Sequence, residues 1–332
     1  VIALQENPFQ LAPGDRHRSV FVATYLPDHP QATSADDLNR LPALMSEFSK
    51  EIPAQVTNQW VNPVRNLFDT SEFLPVEDLN DGELKQFFGN HWRHCEREDN
   101  RLLSFFCRQN DHVVLRAKEI LADRPHAHII QARAGFAPDE NIVSTTAFAF
   151  GIFNSHLTQG NTNFNVLLSI CTSQFNLGLE TGQRIFVEIK GQYHLLGVLS
   201  AFEMGLNHCR WIYKHSDYCF QVRTWTSKQI PQVNMDFRVL RGEPLNLIIT
   251  HDFDALNGWK IIPGSTSCEF IARPGVGSMI TGKFPDAQFR IVINNDYSHF
   301  KVCGDEVLYG DNINHGSPLF VLNVGETSDF CM

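Results

Sequence analysis

A chain of 332 residues, 43% hydrophobic and 19% charged, holds enough material for two or three domains and a sizeable core. Its 37 acidic residues against 27 basic ones, with no run of Lys and Arg, exclude a nucleic-acid surface as the main role, because phosphate backbones select concentrated positive charge. The longest apolar runs, such as VLLSIC, fall far short of the ~20 residues of a membrane helix, so no membrane partner is expected. Eight Cys form no CxxC pair and have no zinc-finger spacing to His, and there is no signal peptide and no Asn-x-Ser/Thr acceptor. The expectation is a reduced, cytoplasmic protein without metal or cofactor.

In chain order, residues 1–30 predict two short strands, VIAL and SVFVATYL, around a turn at Pro13, Gly14 and Asp15. Residues 31–100 predict a partly helical linker. Ser34 or Asp36 can cap a helix whose Leu38, Leu41 and Leu44 recur at helical spacing, although Pro42 limits its regularity. The segment VEDLNDGELKQFFGNHWRHCERED reads as polar and helical or irregular. Residues 101–332 predict strand nearly everywhere. Runs such as HVVLRA, QRIFVEI, CRWIYKH, YCFQVRTWT and LNLIITHDF recur about every ten residues between Gly, Asn and Asp turns. That spacing gives a mainly β fold, a large antiparallel β-sandwich preceded by the linker. No βαβ alternation is visible, so a parallel sheet is not expected.

The hairpin patterns PFQLAPGDRHRSVFVATYL and SPLFVLNVGETSDFCM resemble each other, and the chain opens without Met. The expectation is that residues 1–30 close one sandwich and that 101–332 form most of a second, truncated at its C-terminal end.

Several constellations invite chemistry. His126 and His128 share a strand face, but no carboxylate follows at metal-ligand spacing, and a solvated face is the simpler reading. Asp252 and Asp254 in HDFD could act as paired carboxylates, yet Asn257-Gly258 signals a turn there. The Ser155-His156 and Ser298-His299 pairs are adjacent on predicted strands and point apart, so neither is a nucleophile with its base. Arg210, Trp211 and Tyr213, with Arg223 and Trp225, form an aromatic and basic cluster on neighbouring strands. Aromatic faces stack on sugar C–H groups and Arg donates to hydroxyls, so Arg210, Trp211 and Trp225 are candidate carbohydrate contacts; core aromatics with flanking surface Arg are the alternative.

The segments FGIFNSHLTQGNTNF, TGQRIFVEIKGQYHLLGVLSAFEMG, RWIYKHSDYCFQVRTWT and PQVNMDFRVLRGEPLNLIITHDF resemble the N-terminal sandwich of family-94 glycoside phosphorylases, cellobiose phosphorylase and its larger β-glucan-acting relatives. The matching positions are Ser155, His156 and Gly160, then Gly182, Arg184, Ile185 and Phe186. The resemblance implies a non-catalytic sandwich that borders the sugar site of a β-glucoside- or oligosaccharide-processing enzyme. A separate (α/α)6 barrel would supply the general acid and the phosphate pocket, and phosphate would invert the anomeric carbon. His156, Gln159 and Asn161, in the loop SHLTQGNTN, would face the site. The catalytic barrel has no counterpart in this sequence, so the chain by itself is not expected to turn over substrate. A stand-alone carbohydrate-binding sandwich and a structural one that forms homo-oligomers are the alternatives.

Overall fold

A computed structural model describes residues 9–17, 29, 35–50, 64–107, 110–122, 124–132, 142–160, 178–227, 229–253, 258–293 and 300–332. The chain divides into two compact units, Val1–Pro63 and Val64–Met332. In the first, a 3-10 turn over Ala35–Arg40 runs into the α-helix Leu41–Lys50. The Leu38, Leu41 and Leu44 spacing anticipates this. Pro42 sits in the first helical turn, where its missing N–H breaks no intrahelical bond. The strands expected at the ends of residues 1–30 lie outside the described residues.

The second unit begins at Val64, well before residue 101. Residues 64–100 are built into it rather than leading up to it. Asn66 accepts from the backbone N–H groups of Phe68 and Asp69 and caps the short helix Leu67–Thr70. Glu72–Phe73 then adds a strand parallel to Gln192–Leu195. Asn80 and Glu83 form a reciprocal capping box at the start of the helix Asp81–Phe88, which buries Leu84 and Phe88. Arg93–Glu98 is an edge strand, exposed at every position, so its sequence RHCERE shows no apolar alternation.

Two sheets carry the unit. The larger has eight strands in the order Arg93–Glu98, Arg101–Phe106, His112–Leu115, Ala201–Met204, His208–His215, Tyr218–Thr226, Val233–Arg241 and Asp329–Cys331, antiparallel throughout. The other has six, in the order Glu72–Phe73, Gln192–Leu195, Gln183–Ile189, Leu245–Asp252, Leu319–Thr327 and Lys301–Cys303. Three-stranded sheets from Ala127–Gln131, Val143–Phe148 and Thr158–Gln159, and from Lys260–Pro263, Glu269–Arg273 and Phe289–Val292, complete the described strands. The expected strand FNVLLSICT lies outside them.

One core joins the two large sheets. Phe202, Trp211, Tyr213, Phe220, Val222 and Phe237 of the eight-stranded sheet pack in the same cluster as Ile185, Val187, Leu247, Ile249, Phe320 and Leu322 of the six-stranded sheet. The fold is the β-sandwich that the strand spacing predicts. Each buried Phe contributes about 1.5–3 kcal/mol. Alternation sends the intervening residues outward. Val113, Ala201, Ile212 and Cys219 form a second cluster with Leu84, Phe88 and Phe105, so the helix Asp81–Phe88 covers part of the outer face. No helix among the described residues is long and apolar enough to cross a membrane.

Two interior features are sharply constrained. Gly182 has φ +70°, and a Cβ there would lie 2.6 Å from the Asn154 carbonyl oxygen and 2.8 Å from Ser155 Cα. The bend after Val143–Phe148 therefore presses directly on the start of Gln183–Ile189. Gly182→Ala is expected to destabilise the unit by about 2–4 kcal/mol, read as a fall in thermal midpoint of roughly 5–10 °C; an unchanged midpoint would refute this close approach. Arg184, 1% exposed, donates from Nη1 to the Phe150 carbonyl at 3.3 Å, while its Nε and Nη2 have no partner among the described residues. Burial lowers its pKa to about 10, with Tyr213 opposing the shift. An uncompensated guanidinium in a core is costly, so Arg184→Met is expected to hold or raise the thermal midpoint. A loss above about 2 kcal/mol in chemical denaturation would show that the charge itself is needed.

Candidate functional site

Four charged side chains stand in one row across four neighbouring strands. Glu203 is the register partner of Arg210, Arg210 of Arg223, and Arg223 of Asp236. They point outward because Phe202, Trp211 and Val222 point into the core. Two arginines directly opposite would repel, but each has its own carboxylate and ring. Arg210 Nε donates to Glu203 at 2.7 Å, its Nη2 donates to the Phe87 carbonyl at 3.2 Å, and its guanidinium lies 5.2 Å from the Phe88 ring centre. Arg223 Nη2 donates to Asp236 Oδ2 at 2.6 Å, and its guanidinium lies 4.4 Å from the Trp225 ring centre. Both ring contacts are in cation–π range.

Glu203, Arg210 and Arg223 of this row floor an outer-face cleft of about 770 Å³. The end of the helix Asp81–Phe88 and residues 89–91 wall one side, and Asp111, His208 and Trp225 line the rest. His208 Nε2 is 3.7 Å from Asp111 Oδ2 and 3.9 Å from Glu203 Oε2. Burial raises the Asp111 pKa; His208 opposes that shift and Glu203 adds to it. Donor atoms of Cys107, Asp111 and Glu203 come within 4.8 Å of one another, the grouping among the described residues that could hold a metal. Arg210 already brings positive charge to Glu203, so charge balance at that carboxylate requires no ion. The cleft offers donors, acceptors and aromatic faces with its charges internally matched.

The sequence-predicted residues fall in different places. Arg210 and Trp225 meet at the cleft, with Arg223 between them in the register. Trp211 is fully buried on the opposite face, its indole N–H donating to the Phe148 carbonyl at 3.0 Å. Neighbours on a strand cannot both face the same side, which separates Trp211 from Arg210. Tyr213 is likewise in the core. His156 is buried, and its Nδ1 lies 3.0 Å from Ser155 Oγ. The expectation that this pair points apart fails, because residues 154–157 bend rather than extend. Thr158–Gln159 forms a short strand beside Val143–Phe148, while Asn161, Ser298, His299 and Asp254 lie outside the described residues. His126 Nδ1 meets Glu119 at 2.6 Å and His128 Nε2 meets the Gly205 carbonyl at 2.7 Å, so local partners engage both imidazoles. Asp111, Glu203, His208 and Asp236 escaped the sequence reading. The one signal for them is an acidic residue isolated in an apolar strand, as in AFEM, and it gains meaning only with the register.

His251, from the HDFD motif, is 4% exposed. Burial alone lowers its pKa to about 4, and its Nε2 has no partner.

The family profile of the glycoside phosphorylase supersandwich domain matches residues 90–332. A 1,2-β-oligoglucan phosphorylase of Listeria innocua serovar 6a is 28% identical over 222 residues, covering 65% of this chain and 20% of that protein. The matched part of this chain thus spans about a fifth of that relative's length.

The buried imidazole carries a pH dependence. Between about 6.5 and about 4 the unfolded chain binds a proton at His251 that the folded chain refuses. Stability is therefore expected to fall as pH drops through that window, by on the order of 3 kcal/mol from this group. Denaturant unfolding at pH 7 and pH 4.5 measures it. His251→Gln should flatten the slope, and an equal slope in that variant would assign the effect elsewhere.

Proposed function

The chain belongs to the glycoside phosphorylase supersandwich family, and from that membership we propose that it is the non-catalytic β-sandwich part of a longer enzyme acting by phosphorolysis on β-linked glucan chains. The outer-face cleft is the surface on which it holds the oligosaccharide. The observation that carries this reading is the matched row of Glu203, Arg210, Arg223 and Asp236 beside Trp225. An open anion site would leave an arginine unpaired. Here each arginine has a carboxylate, which favours a neutral polyol over phosphate. Phe87 and Trp225 supply apolar faces for sugar C–H groups, and Asp111, Glu203 and the guanidinium N–H groups address hydroxyls.

In this reading the general acid and the phosphate ligands reside in a separate (α/α)6 barrel, and the sandwich contributes sugar affinity. The Listeria relative, whose name specifies a 1,2-β-oligoglucan, makes β-1,2-linked glucose oligomers the first ligands to try.

Calorimetric titration of the chain with such oligomers is the test. Trp225→Ala is expected to weaken binding by about 5–10-fold, the loss of roughly 1–1.5 kcal/mol of ring contact, with the far-UV circular dichroism unchanged. Inorganic phosphate should not compete. Equal affinity in wild type and variant would sink the assignment of the cleft.

A further inference from the structure

We propose that a second cavity, between the two sheets at one end of the sandwich, binds a single neutral sugar ring. It does not depend on the outer-face cleft being a glycan site. The cavity holds about 270 Å³. That is the space of about nine waters at ~30 Å³ each, and it lies below the ~300–1,000 Å³ of drug-sized ligand sites. One small ring fits, and an extended chain does not.

Its polar lining is unfinished. Asn154, Gln183 and His251 are each at least nine-tenths buried. Gln183 and His251 are register partners on adjacent strands, which places them side by side. Asn154 Nδ2 donates to Gln183 Oε1 at 2.6 Å, yet Asn154 Oδ1 has no partner among the described residues. Gln183 Nε2 reaches only the Met332 thioether, at 3.5 Å, a weak acceptor. His251 Nε2 has no partner either. Asn154, Gln183 and His251 thus line the same cavity with polar capacity left over, and native interiors rarely leave such groups unmet. Hydroxyl groups, each both donor and acceptor, complement this set.

The remaining walls select against charge. Leu157, Met235, Phe289 and Ile291 give apolar surface suited to C–H faces. Among the described residues Arg290 is the one charged residue in the lining; it is exposed and is ion-paired with Glu269. Burial keeps His251 neutral at physiological pH. Neither an anion nor a cation finds a counter-charge inside.

The experiment is imidazole nitrogen NMR on the 332-residue chain titrated with D-glucose, following the His251 signal, assigned by its loss in His251→Gln. A saturable shift of the His251 nitrogens is expected at millimolar glucose, with glycerol at equal concentration producing none. Val233→Trp, at a half-buried position in the cavity wall, should reduce the glucose affinity at least tenfold. Trp225→Ala should leave the His251 shift intact, which keeps this site distinct from the cleft. Three outcomes overturn the proposal: no His251 shift at saturating glucose, an equal response to glycerol, or a shift undiminished in a folded Val233→Trp variant. The wild-type titration decides the matter even if that variant does not fold.

Discussion

The register between His208–His215 and its neighbours is the constraint on which the rest of the structure turns. Because side chains alternate, fixing Trp211 against Phe148 and Phe153 inside the sandwich fixes Arg210 outside it. The same register then sets Arg210 opposite Arg223, and brings Glu203 and Asp236 to the flanks. A slip of one residue would bury the arginines and expose the tryptophan. The energy that forbids that slip is hydrophobic burial in the shared core, and the polar row on the outer face is its consequence.

The end of the sandwich near Gly182 follows a different logic. There the backbone of residues 154–155 approaches Gly182 closely enough to exclude any side chain. That contact delivers Asn154 to Gln183 and so to His251. Arg184, two residues on, has unmet N–H groups of its own. This is where the interior departs most from the rule that buried polar groups find partners. Further unmet atoms among the described residues, on Trp92, Arg116, His194, Arg223, Asp236 and Trp259, lie elsewhere in the unit, although the main core itself is built almost entirely from aromatic and aliphatic side chains.

The two regions share a chemical bias. In the outer cleft, charges are present but matched in pairs, and in the inner cavity the lining is amide, neutral imidazole and hydrocarbon. Both environments favour ligands rich in hydroxyls and free of net charge. A sandwich of this kind suits the proposed role of holding sugar.

By itself the sequence determined the class of fold, because period-two runs such as QRIFVEI and YCFQVRTWT are a local property of the chain. It also brought Arg210 and Trp225 forward as candidates, since aromatic and basic residues on consecutive strands end up close. It presented as helical or irregular the polar segment that holds the helix Asp81–Phe88 and the exposed edge strand Arg93–Glu98, and the strand lacks the apolar pattern that marks an element. It grouped Trp211 with Arg210, although alternation alone separates them once the strand is known. The pairing of Glu203 with Arg210, of Asp236 with Arg223, and of Asn154 with Gln183 was decided only by tertiary structure. Those pairs join segments by strand register and by one glycine contact, and register depends on how the whole core packs rather than on any stretch of sequence.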